Sequence, residues 1–168
     1  LCLISAPATA QIVLNKSSNM FFGTIGYDTP HSGTITLGTN GNVSIIGGTG
    51  LAYNSGAHAG SVMVVGTPMD VVEIKCETSG KMRLGNSNLN VTNIEVAVNS
   101  GVAFGAGQRC RGVKRRDTPA TTIDLAGTPL PNILMGGEVF VGANSLLSGT
   151  YNTTSGGGQA IQLTVIYQ

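Results

Sequence analysis

Apolar and polar residues alternate most strictly in the closing stretch of the chain. Ile161, Leu163, Val165 and Tyr167 fall on one side, and Gln162, Thr164, Ile166 and Gln168 on the other. Period-two alternation rich in β-branched and aromatic residues marks a strand with one buried face. The pattern reaches the final residue, which leaves two expectations open. The sheet is completed by this strand, or it is completed by a segment supplied from outside.

The same pattern predicts strands along the rest of the chain. Gln11–Asn15 forms a first short strand, Lys16–Asn19 interrupts it, and Met20–Ile25 resumes it. Gly33–Leu37 alternates cleanly, and Asn40-Gly41 signals a two-residue hairpin into Asn42–Ile46. Leu51–Gly60 is small and polar and reads as a loop or irregular edge. Ser61–Gly66 and Asp70–Cys76 are strands joined at Gly66-Thr67-Pro68-Met69. In the second of these, Val72, Ile74 and Cys76 share a face opposite Glu73, Lys75 and Glu77, so Cys76 should point inward. Lys81–Leu84 and a long strand from Asn88 to Val98 follow. The apolar phase slips between Val91 and Ile94, which predicts a β-bulge near Asn93. Gly101–Ala120 is the least strand-like region. Thr121–Leu125, a turn containing Pro129 and Pro131, Gly137–Gly142 and the closing strand complete the chain.

Strands recurring about every 8–12 residues, with turn signals between them, predict an all-β antiparallel sandwich. Composition agrees. The 168 residues suit one domain; 25 are glycine, none is tryptophan, and only 10% are charged. A helical domain would carry amphipathic 3.6-residue periodicity, and none is visible. The net charge of +1 exerts no overall pull on nucleic acid or membrane. No stretch is long and apolar enough to suggest a membrane span.

The apolar start Leu1-Cys2-Leu3-Ile4, followed by Ala8-Thr9-Ala10, reads as the end of a secretory signal cleaved before Gln11. The alternative is a hydrophobic N-terminal strand. Residues 1–10 are thus a signal remnant or an N-terminal donor extension, and 11–168 one sandwich domain. Beyond Cys2 two cysteines remain, Cys76 and Cys110, and in an exported chain an even count reads as one disulfide. Free thiols, or a pairing that involves Cys2, are the alternatives. The expected compartment is oxidising: the periplasm in transit, then the cell surface or an extracellular fibre.

Several motifs carry a resemblance. Phe21-Phe22-Gly23-Thr24-Ile25 near the start, Gly136-Gly137-Glu138-Val139-Phe140-Val141, Ser148-Gly149-Thr150-Tyr151 and the alternating strand ending in Tyr167 resemble an exported bacterial domain family of unknown function (family four-four-zero-two). That family is itself similar to chaperone–usher pilin subunits. The resemblance implies an immunoglobulin-like antiparallel β-sandwich, incomplete and completed by donor-strand exchange. It also implies a structural role in a pilus or fimbria, with copies of itself, a periplasmic chaperone and an outer-membrane usher as partners. On that reading Ile12 and Leu14 are donor-strand residues, and Phe22, Ile161, Leu163, Val165 and Tyr167 line the core or groove.

Catalytic chemistry is not expected. His31 and His58 sit in Gly/Ser/Ala-rich turns without metal-ligand spacing. Asp28 lies near enough in sequence to orient His31, but no Gly-x-Ser-x-Gly nucleophile elbow accompanies them. The carboxylates are scattered, and Gly47-Gly48-Thr49-Gly50 and Gly156-Gly157-Gly158 lack the lysine of a phosphate loop. No cofactor or metal is expected. Arg109, Arg111, Lys114, Arg115 and Arg116 form the strongest local charge feature. They read either as a solvated loop or as a patch for an anionic ligand such as an acidic glycan. Few aromatics flank them, which argues against nucleic acid. The functional expectation is a fibre subunit, with a monomeric exported adhesin or glycan-binding module as the alternative.

Overall fold

Short runs of β-branched residues, interrupted by glycine, asparagine and proline, extend into strands because they fit a half-buried pleated surface better than a helix. The computed structural model describes residues 11–28, 31–47, 50–66, 71–99, 107–112, 121–125, 131–143, 151, 161 and 163–167. The strands among them are β1 (Val13–Ser18), β2 (Thr24–Tyr27), β3 (Gly33–Leu37), β4 (Val43–Ile46), β5 (Leu51–Ser55), β6 (Gly60–Val65) and β7 (Val71–Cys76). They continue as β8 (Gly80–Leu84), β9 (Ser87–Asn99), β10 (Gln108–Arg109), β11 (Thr121–Asp124), β12 (Asn132–Val141) and β13 (Leu163–Tyr167). All pairings are antiparallel, and the described residues contain no helix.

β12 is the axis of the eight-stranded sheet. Along one edge it pairs with β9, from Asn132↔Asn99 to Val139↔Val91. Along the other edge, β6 pairs with Asn132–Met135 and β3 with Gly137–Val141, so β6 and β3 lie end to end. β1 extends the sheet beyond β6, and β4 beyond β3. β8 and β10 share the far edge of β9 in the same end-to-end manner. The second layer is the three-stranded sheet β11–β7–β13, and β2 and β5 form a separate ribbon.

The two sheets close on one core. Ile133, Met135, Val139 and Val141 of β12 pack in one cluster with Val64, Ile35, Leu37, Val91, Ile94 and Val96 of the large sheet and Val72, Ile74 and Ile123 of the small one. Val72 and Ile74 are 0% exposed, and burial of each such side chain contributes about 1.5–3 kcal/mol. The expected antiparallel sandwich is what forms.

The predicted bulge is present. Two steps along β12, Gly136 to Glu138, span three along β9, Glu95 to Thr92. Asn93 takes φ 47°, the left-handed conformation, alone among described non-glycine residues, and its Nδ2 donates to Oε2 of Glu138. The extra residue lets Val91 and Ile94, three apart, both face the core.

Other expectations are corrected. β1 runs on through Lys16–Ser18, because an edge strand can turn polar side chains to water while its backbone pairs with β6. The strand expected at Met20–Ile25 starts at Thr24 instead. Before it, only Phe21 pairs, in an isolated bridge to His58. Leu51–Ser55, within the stretch read as a loop or irregular edge, is a strand on β2; only Leu51 is buried, so no alternation marks it. Asn40-Gly41 is not a two-residue turn. Gly38 N–H donates to Asn42 O (2.8 Å), Gly41 N–H donates to Gly38 O (2.9 Å), and Gly41 (φ 82°) supplies the left-handed residue. The two-residue connection is instead Gly85-Asn86, between Leu84 and Ser87. The turn at residues 67–70 lies outside the described residues.

β12 begins at Asn132, five residues before the strand that alternation picks out. Gly136-Gly137 looks like a turn in the sequence but has a packing role. Gly136 sits where β6 ends and β3 begins, and a Cβ there would collide with the Leu37 carbonyl oxygen and the Thr39 nitrogen. At Gly137 a Cβ would press on Ile94 Cδ1 at 3.0 Å.

Two substitutions test this junction by chemical denaturation. Asn93→Ala should lose about 1 kcal/mol, because alanine keeps the left-handed Cβ strain but lacks the amide that donates to Glu138, and Asn93→Gly should lose less, because glycine takes this conformation without a Cβ. Gly136→Ala should lose about 1–3 kcal/mol, because the atoms it meets are backbone and cannot rotate away.

Candidate functional site

The closing strand β13 pairs with β7 of its own chain, from Leu163↔Cys76 to Tyr167↔Val72, and not with the N-terminal segment. β11 occupies the other edge of β7. Ile161, Leu163 and Val165 pack against the core but are only half-buried, whereas Val72 and Ile74 beside them are sealed. Among the described residues no strand pairs with the outer edge of β13. The Tyr167 side chain, and the side chains on the opposite face of β13, lie outside the described residues.

The N-terminal residues form the opposite kind of edge. Cross-strand partners share a face, and Leu14 opposes Val64, which is fully buried. Leu14 therefore belongs to the inward face of the large sheet. It is nonetheless 39% exposed, while Ile12 packs against the core. The inward face of the sheet continues past its cover at β1. Phe22 is buried in the core, as expected.

A short segment stitches the layers together. Cys110 bonds to Cys76 with Cα atoms 5.1 Å apart, joining the residue just after β10 to the end of β7. Backbone bonds reinforce the crossing: Cys110 N–H donates to Ile94 O (2.8 Å) and Gly112 N–H to Cys76 O (3.0 Å). Cys110 turns inward between Arg109 and Arg111, both exposed. Arg109 Nε lies 3.8 Å from Oε1 of Glu95, its cross-strand partner, so part of its charge is already answered. Lys114, Arg115 and Arg116 lie outside the described residues, as do residues 1–10.

The remaining polar groups stay apart. His31 and Asp28 meet through backbone, His31 N–H donating to Asp28 O (3.2 Å), and His31 Nδ1 is buried without a hydrogen-bond partner. Lys75 Nζ lies 3.5 Å from Oε2 of Glu73 on the outward face of β7. Among the described residues no three of His, Cys, Asp and Glu could hold a metal ion together, and no helix is long and apolar enough to cross a membrane.

One surface carries no signal in the alternation. Phe21 and His58 bond to each other through backbone at the isolated bridge, with ring centroids 5.6 Å apart, and Tyr53 of β5 lies close to the same loop. The adjacent pair Phe21-Phe22 is the available clue, since consecutive extended residues face opposite ways.

The family described as Domain of unknown function (DUF4402) matches residues 12–167, and the chain belongs to that family. No curated protein and no solved structure matches the chain.

The disulfide gives a direct measurement. Replacing both cysteines, Cys76→Ala with Cys110→Ala, should cost about 3–4 kcal/mol in denaturant unfolding, the chain-entropy value for a loop of this length. Non-reducing mass mapping of the unaltered protein should recover Cys76 and Cys110 in one linked peptide pair.

Proposed function

We propose that this member of the family is a non-catalytic structural subunit of a bacterial surface fibre, exported through the periplasm and assembled by donor-strand complementation. The observation that carries the reading is the half-covered inward face of β13 beside an edge with no partner among the described residues. An open edge presents a row of backbone donors and acceptors. An added strand satisfies them while its alternate side chains fill the adjacent apolar gap.

The N-terminal segment suits the donor role. Ile12 and Leu14 lie two apart on one face, and β1 is held through a single edge, by five residue pairs to β6. Leu14 is already partly in water in its own sheet. Pairing with a neighbouring copy would bury that side chain. The likeness to chaperone–usher pilins that the Phe22, Gly149-Thr150-Tyr151 and closing-strand motifs imply through the family belongs to the same reading, with a periplasmic chaperone and an outer-membrane usher as transient partners. The Cys76–Cys110 bond suits an oxidising compartment.

Size-exclusion chromatography and negative-stain electron microscopy of the full chain test it. Ladders of multimers or fibres should form, and removal of residues 1–15 should abolish them. A full chain that stays monomeric at high concentration, and elutes as the truncated form does, would overturn the proposal.

A further inference from the structure

Phe21 is 45% exposed, Tyr53 39% exposed, and His58 is exposed beside them. The exposure of Phe21 is enforced. Its N–H donates to His58 O (3.0 Å) and His58 N–H donates to Phe21 O (2.9 Å). That register turns Phe22 into the core and leaves Phe21 outside. Tyr53 is fixed as well, since Ala57 N–H donates to its hydroxyl oxygen (3.1 Å), which leaves the hydroxyl proton to be donated outward.

The floor beneath these rings is bare backbone. A Cβ on Gly23 would strike Tyr53 Cε2 at 2.8 Å, and one on Gly56 would meet Phe21 Cε1 at 3.7 Å. Both glycines are left-handed, at φ 82° and 90°, so the chain spends two special conformations to bring the rings to this loop. Thr24 and Ser55, cross-strand partners next to Gly23, are both exposed. Neither Met20–Ile25 nor Tyr53–Ala59 contains Asp, Glu, Lys or Arg.

We propose that the Phe21–Tyr53–His58 surface is a binding site for a neutral oligosaccharide. A pyranose ring has an apolar face of C–H bonds and a rim of hydroxyls. Aromatic faces carry negative quadrupole density that attracts those C–H groups. Hydroxyl side chains near the rings take the rim, and the combination of Tyr, Ser and Gly is one that pairs rigid contact area with adaptable hydrogen bonding. The absence of charge in both segments disfavours anionic saccharides. A protein partner would need a far wider surface, on the order of 1,000 Å², with an apolar centre, and here three rings stand among glycine and polar residues.

The test is saturation-transfer NMR on the full chain with maltohexaose, cellohexaose, xylohexaose and mannohexaose, and with oligogalacturonate as the charged comparison. At least one neutral probe should receive saturation from the aromatic resonances. Phe21→Leu, which keeps bulk without a π face, and Tyr53→Ala should each raise its Kd about tenfold, equivalent to about 1.4 kcal/mol. Phe21→Tyr and the distant exposed-ring variant Phe140→Ala should bind as the unaltered chain does. Saturation transfer to none of the neutral probes, transfer to oligogalacturonate alone, or undiminished binding by the Phe21→Leu/Tyr53→Ala double variant would each overturn the proposal. The measurement is made on the dispersed chain, so its outcome is independent of fibre formation.

Discussion

The backbone of β12 is hydrogen-bonded along both edges, to β9 on one side and to β6 and then β3 on the other. That double engagement fixes the register of most of the large sheet, because a slip by one residue would turn Ile133, Met135, Val139 and Val141 out of the core together. Its middle is where the strain of the arrangement collects. Beside Gly136 one partner strand stops and the next begins, while opposite it β9 carries an extra residue. A glycine pair on β12 and a left-handed asparagine on β9 are the local answers to one packing demand: three strands must converge on a single axis without opening a gap.

The second layer is narrower than the first. Among the described residues three strands, β11–β7–β13, cover an eight-stranded sheet; Val72 and Ile74 of β7 and Ile123 of β11 are sealed, whereas the inward residues of β13 are not. The Cys76–Cys110 bond and the two backbone bonds around it hold the layers together at one end of β7. At the margins the cover thins, leaving Leu14 on an inward face that reaches water and Leu163 and Val165 half-buried. A sandwich with a firm centre and thin margins is the shape that strand addition exploits, since a new strand gains backbone pairing and apolar burial at once. On the outer face Phe140 and Ile46 flank Thr34, at 60% and 65% exposure.

Much of this was legible in the chain itself. The alternation of Val72, Ile74 and Cys76 gave the face of β7, the phase slip after Val91 gave the bulge, and Gly33–Leu37 appeared with its observed bounds. The expected pairing of Cys76 with Cys110, one of the readings their number allowed, is the one that forms. These features are local: each reflects which side of a short segment meets apolar surroundings. What escaped was of another kind. β5 buries only Leu51, β1 ends in polar residues, and the first half of β12 sits against a glycine pair that elsewhere would be a turn.

The sequence by itself therefore determined the fold class and the inward faces of its most regular strands, because period-two burial is written in consecutive residues. Only the tertiary structure decided that the closing strand, Leu163–Tyr167, pairs with β7 instead of the N-terminal segment, and that Phe21 stands outside the core beside Tyr53 and His58. Alternation says which side of a strand is buried. It does not say which neighbour lies along its edge, and that choice rests on contacts between residues far apart in the chain.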